Sequence, residues 1–189
     1  MRPWLVAAVW LAWLLCTSGV GYAPAQPGDR IDARATRVSV WADVATVVSL
    51  AGAVAVAVWV PSAALPYDPW LTVGLGTALV VLGLALRLWA ARTLGHSFTR
   101  SVLIREGHRV VTAGPYRVVR HPGYAGVLVS QVGLGLTLAS WLSVALIVLG
   151  FFVGHVPRIK AEEAVLEAGL GEPYRELERT RKRLIPGVW

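Results

Sequence analysis

Apolar residues fall into five long runs, separated by polar intervals of very unequal length. Pro3 to Val20 is the first run, Trp41 to Val60 the second and Trp70 to Ala91 the third. A close-set pair follows, about Tyr124 to Ala139 and Trp141 to Val156, with Ala139-Ser140-Trp141 at the junction. A helix needs about 20 largely apolar residues to cross a bilayer. The pattern therefore predicts an all-α integral membrane protein with five transmembrane helices, the last two forming a tight hairpin. Each member of that pair is short for a crossing. Tilt, a locally thin bilayer or a few added residues make up the length.

The polar intervals differ in character. Residues 94–126 read LGHSFTRSVLIREGHRVVTAGPYRVVRHPGYAG. Ser101 to Ile104 suits a short extended piece, Glu106-Gly107 a turn, and Val110-Val111-Thr112 a second short strand. Arg120-His121-Pro122-Gly123-Tyr124 sits where the chain re-enters the membrane. Pro122 pushes His121 toward an extended backbone, and Gly123 allows close backbone approach. By itself this corner is equally a re-entry turn or a ligand site. After the fifth run, Pro157 suits the first turn of a new helix. Val156, Ile159, Val165, Leu166 and Leu170 give it an apolar stripe, and Gly169 and Gly171 suit its end. Pro173 can start another amphipathic helix, bearing Tyr174 and Leu177.

Composition agrees with a membrane chain. Of 189 residues, 56% are hydrophobic and only 15% are charged, and mean hydropathy is +0.59; soluble domains carry about 25% charged residues. The net charge is +7. The basic residues lie between apolar runs, with neither a nucleic-acid motif nor a single basic face, so membrane flanks account for them and nucleic acid is not an expected partner. With an outside N-terminus, Arg30, Arg34 and Arg37, the seven cations from Arg87 to Arg120, and the seven from Arg158 to Arg183 all fall inside. That is seventeen inside against Arg2 outside, and it predicts a multi-pass protein of the cell membrane with a cytoplasmic C-terminus and site. A cleaved leader ending near Ala23-Pro24-Ala25 is the rival reading, but it would reverse the charge pattern or require an even number of spans. Tryptophans near the run ends suit an interfacial belt, and glycines in the third and fourth runs suit close helix packing. Cys16 stands alone, so neither an intrachain disulfide nor a cysteine zinc site is possible. The four histidines lack paired-ligand spacing, so no metal is expected.

The candidate chemistry lies in the polar segments. Arg158 and Glu162 are four apart on one helical face, a spacing that by itself favours an exposed ion pair over a site. Arg181-Lys182-Arg183 suits an anionic surface. Taken together, GHRVVTAGPYRVVRHPGY, a helical hairpin and RIKAEEAVLEAGLGEPYRELERTRKRLIP resemble the isoprenylcysteine carboxyl methyltransferase family and the related phospholipid methyltransferases. The resemblance spans about Leu94 to Pro186. It implies a membrane enzyme that uses S-adenosyl-L-methionine at the cytoplasmic face. Its implied cofactor contacts are His108, Arg109, Val110, Val111, Tyr116, His121, Pro122, Gly123, Tyr124 and Glu162. Ser101 stands where the family usually carries Gln. Arg158 falls at the position assigned to the substrate carboxylate. The implied division is residues 1–93 for the first three helices and 94–189 for the cofactor-binding catalytic region.

These residue types suit that chemistry. A carboxylate can accept from ribose hydroxyls or favour a sulfonium, and tyrosine rings can pack on adenine. A carboxylate acceptor is ionised at pH 7 and needs no general base. An amine acceptor must lose a proton, and Glu163 or His121 would then be the candidate base. The expected activity is carboxyl O-methylation of an isoprenoid- or lipid-linked carboxylate, the lipophilic substrate entering from the bilayer. The alternatives are head-group N-methylation of a phospholipid, and a non-catalytic membrane protein that binds lipid or a partner.

Overall fold

The computed structural model describes residues 3–19, 30–31, 33–99, 103–104 and 110–189. Six helices run in the order α1 (Pro3–Gly19), α2 (Ala33–Trp59), α3 (Pro69–Leu94), α4 (Pro122–Thr137), α5 (Trp141–Leu170) and α6 (Glu172–Thr180). Two short strands, β1 (Arg30–Ile31) and β2 (Leu103–Ile104), pair antiparallel. The local sequence explains the helix ends. Asp68 caps α3, its side chain accepting from the Trp70 amide, with Pro69 in the first turn. Ser140 caps α5 through the Ser143 amide. Gly171, at φ +62°, ends α5 and admits α6.

α2, α3 and α5 are long and apolar enough to cross a membrane. α1, with 17 residues, and α4, with 16, are apolar but shorter. Large apolar side chains such as Val58, Leu82 and Leu149 point outward, about 60% exposed. A soluble protein would not leave such a belt uncovered. The chain is a multi-pass membrane protein.

The core is built on two close helix pairs. α3 meets α4 backbone to backbone: a Cβ at Gly133 would lie 2.5 Å from the Gly76 carbonyl oxygen, and one at Gly76 would lie 2.6 Å from the Gly133 oxygen. Gly83 and Gly126 repeat the approach one heptad along. α2 meets α5 through small residues, with Gly154 against Ala42 and Ala45, and Gly150 against Ser49. Several polar groups inside find partners across the helix interfaces. Ser143 Oγ donates to the Ala53 carbonyl at 2.7 Å, and the Trp13 indole of α1 donates to Ser130 Oγ of α4 at 2.8 Å.

Three expectations change. Pro157 does not open a new helix; it lies inside α5, which runs unbroken to Leu170. Proline leaves the carbonyl four residues earlier without its helical donor. Here that carbonyl belongs to Val153, and the Trp41 indole N–H of α2 donates to it at 3.4 Å. Arg87 is no flanking cation: it lies within α3 and is buried. Val110-Val111-Thr112 is not a strand, and β2 pairs with β1 instead. The backbone contact between α3 and α4 leaves no room for a side chain. Gly133→Val should therefore destabilise the protein by about 2 kcal/mol, read as a lower denaturation midpoint in detergent. An unchanged midpoint would contradict that packing.

Candidate functional site

Three successive turns of α5 converge on one aromatic ring. His155, Arg158 and Glu162 are spaced by three and four residues, so they share a face. The His155 ring meets the Tyr124 ring edge-on at 5.7 Å between centroids. The Arg158 guanidinium carbon lies 5.6 Å from the Tyr124 centroid. The Tyr124 hydroxyl donates to Glu162 Oε2 at 2.7 Å. His155 is itself held from below, stacked on Phe151 at 4.4 Å. Arg158 and Glu162 thus both contact Tyr124 and do not form an exposed ion pair. Arg158 is buried and Glu162 half-buried.

The corner before α4 places Tyr124. Pro122 is fully buried at the start of α4. Gly123 lets the Phe98 ring approach, since a Cβ there would lie 3.3 Å from it. The Arg87 guanidinium carbon stands 5.4 Å from the other partner of that contact, the Phe98 ring centroid. Tyr116 is buried in the turn Gly114–Arg117. Burial pushes its phenol well above the ordinary value, the Glu162 charge adds to this, and Arg87 opposes it. It is therefore neutral and a donor at any physiological pH.

A second cluster lies behind the corner. Glu163 accepts from His121 Nε2 and Arg120 Nη2, each at 3.1 Å, and from Arg183 at 2.8–3.1 Å. Arg120 also pairs with Glu178 of α6. Main-chain bonds run alongside, from the Arg120 amide to the Lys182 carbonyl at 2.8 Å and from the His121 amide to the Arg183 carbonyl at 3.0 Å. Tyr174 of α6 is buried beside this cluster. Burial raises its phenol, Glu163 adds to the rise and Arg120 opposes it. Its hydroxyl has no hydrogen-bond acceptor among the described residues.

The structure brings Tyr124, Arg158 and Glu162 together, with Tyr116 in electrostatic range of Glu162 and with His121, Pro122 and Gly123 forming the corner. Val110 and Val111 are half-buried and make no hydrogen bond to this centre among the described residues. His108, Arg109 and Ser101 lie outside the described residues. Sequence reasoning missed His155 and Arg87. The three-and-four spacing of His155, Arg158 and Glu162 could have revealed the first. An arginine within an apolar run could have revealed the second.

Residues 75–168 match the model of the isoprenylcysteine carboxyl methyltransferase family. Protein-S-isoprenylcysteine O-methyltransferase B of Arabidopsis thaliana is 35% identical over 124 residues, covering 63% of this chain and 61% of that protein. The Schizosaccharomyces pombe protein-S-isoprenylcysteine O-methyltransferase is 34% identical over 109 residues, covering 57% of this chain and 45% of that one. A solved eukaryotic intramembrane Ras methyltransferase superposes with a TM-score of 0.63 at 26% identity, over 77% of this chain and 52% of its own. The apolar helices thus define a multi-pass membrane protein. The chain belongs to the isoprenylcysteine carboxyl methyltransferase family. It spans about half to three fifths of the length of these relatives.

The buried Tyr174 hydroxyl makes a structural prediction. Removing a buried hydroxyl that lacks an acceptor relieves a desolvation cost, so Tyr174→Phe should leave stability unchanged or raise it by about 1 kcal/mol. Thermal unfolding in detergent reads this. A fall beyond about 1 kcal/mol would show that the hydroxyl holds a partner.

Proposed function

We propose that this chain is an S-adenosyl-L-methionine-dependent methyltransferase that esterifies the carboxylate of an isoprenoid- or lipid-linked acceptor. The observation that carries this reading is the convergence of Arg158 and Glu162 on Tyr124, within the segment matched by the family. The donor set fits the cofactor. A half-buried carboxylate and neutral tyrosines suit a cation that bears hydroxyls and an aromatic base. Glu162, Tyr116, Tyr124 and the corner His121-Pro122-Gly123 would hold it, together with His108, Arg109, Val110 and Val111. When bound, the cofactor supplies an electrophilic methyl group.

The chain's own residues account for the rest. Arg158 grips one carboxylate bidentately and orients an oxygen, as a planar guanidinium can. That carboxylate is already ionised, so no base is required. The packed faces of α3, α4 and α5 exclude water and strengthen these interactions. Both α1 and α4 cross the bilayer in this reading, giving five spans. The N-terminus lies outside and the site is cytoplasmic; the charge bias survives the loss of Arg87 from the flanks. Residues 94–189 carry the chemistry, and residues 1–93 supply the helices that pack behind it. The acceptor, a lipophilic molecule, enters from the surrounding membrane lipids.

Arg158→Ala should retain S-adenosylhomocysteine binding within about threefold and lose about a hundredfold in turnover. Glu162→Ala should weaken that binding at least about tenfold. Calorimetry and methyl transfer from radiolabelled cofactor in membranes check both. Base-labile label released as methanol supports the ester; base-stable label in a lipid amine would point instead to head-group N-methylation. Wild-type turnover of a carboxylate acceptor by Arg158→Ala would remove the role given to Arg158.

A further inference from the structure

Glu162 and Glu163 are adjacent, yet they grip different parts of the corner. Glu162 takes the Tyr124 hydroxyl. Glu163 is only 6% exposed, and both of its oxygens are engaged by cationic donors. Oε1 faces Arg120, His121 and Arg183, and Oε2 faces Arg183. Arg120, buried, and Arg183, half-exposed, would otherwise be two guanidinium groups facing each other. Like charges brought together there repel, and among the described residues only Glu178 would remain to offset them. Glu178 pairs with Arg120 and acts on Arg183 only at longer range, while Glu163 is ion-paired with both.

The C-terminal segment is stitched to the corner along the same line. The Arg120 and His121 amides bond to the Lys182 and Arg183 carbonyls, and Val119 bridges to Lys182 in parallel. Beyond Arg183 the chain turns back: the Leu184 and Ile185 amides bond to the Trp189 carbonyl at 2.8 and 2.7 Å. Trp189 packs on Phe152 of α5 and under the Arg183 guanidinium. Residues read from sequence as a surface-binding basic tail are therefore part of the wall behind His121. The His121 ring in turn lies against Tyr124, 5.8 Å between centroids.

We propose that Glu163 is a positioning residue, whose carboxylate clamps the segment Arg181–Trp189 onto the Arg120–His121 corner and thereby sets the placement of Tyr124 for cofactor binding. The proposal rests on the cofactor reading above. It replaces the role of proton acceptor that an amine substrate would have required of Glu163, since both oxygens are occupied by fixed cations. The charged and titratable groups around the clamp are Arg120 and His121 at the corner, Arg183 on the tail, Glu162 on α5, and Tyr174 and Glu178 on α6.

The test uses the full chain in detergent, with Glu163→Gln, Arg183→Gln and the double variant. A lost charge-assisted bond should weaken S-adenosylhomocysteine binding about tenfold in Glu163→Gln and about fivefold in Arg183→Gln. The double variant should resemble Glu163→Gln and fall well short of the product. Turnover at saturating cofactor should fall less than about threefold in Glu163→Gln, because binding and not chemistry is affected. Without ligand, trypsin should cut after Lys182 or Arg183 faster in Glu163→Gln than in the wild type. Unchanged binding and cleavage would overturn the proposal. So would a large loss of turnover at unchanged affinity, or independent effects in the double variant. If Glu163→Gln fails to fold, the half-exposed Arg183→Gln still decides the matter, and unaltered binding there overturns the clamp. A wild type that binds no S-adenosylhomocysteine would sink the cofactor reading, while the cleavage comparison would still judge the clamp.

Discussion

The candidate site depends on α5 continuing as a helix past Pro157. Proline at that position deprives the Val153 carbonyl of its helical donor, and an unpaired carbonyl at membrane depth is costly. The Trp41 indole of α2 supplies a donor from the side. Because the helix is unbroken, the 3.6-residue repeat carries through from the bilayer into the polar layer. His155, Arg158 and Glu162 then face one way, and Glu163 faces another. A break at Pro157 would have uncoupled Arg158 and Glu162 from His155, and Tyr124 would have lost its common wall.

Two kinds of packing hold the groups that meet at this wall. Within the apolar layer, glycine pairs bring α3 and α4 into backbone contact, and small residues do the same for α2 and α5. Such contacts are rigid because they involve main chain rather than adaptable side chains. In the polar layer the contacts are charged. Arg120, His121 and Arg183 surround Glu163, and Arg158 stands over the Tyr124 ring. The site lies where the two regimes meet. The acceptor proposed above, lipophilic with a charged end, would need the same junction.

The segment that matches the family runs from within α3 to near the end of α5. The parts outside it are structurally bound to it. α2 lies along α5 and covers the Val153 carbonyl, α1 donates two indole hydrogen bonds to α4, and the tail closes on the corner. The family segment therefore supplies the groups, and its flanks fix their relative positions.

Sequence alone determined the apolar runs, and hence the helices and the membrane setting, because hydropathy and length are local properties. It also determined the corner at Pro122-Gly123 and the shared face of Arg158 and Glu162, because proline geometry and the helical repeat are local too. Tertiary structure decided the rest. Pro157 reads as a helix start until Trp41, more than a hundred residues away, is seen to cover Val153. Arg183 reads as a surface cation until the Arg120–Lys182 and His121–Arg183 backbone bonds are seen to set it against the buried Glu163. Arg87 counts as a flanking cation until it is seen buried in α3 with its guanidinium over Phe98. Each of these depends on a partner distant in sequence, which no periodicity along the chain can encode.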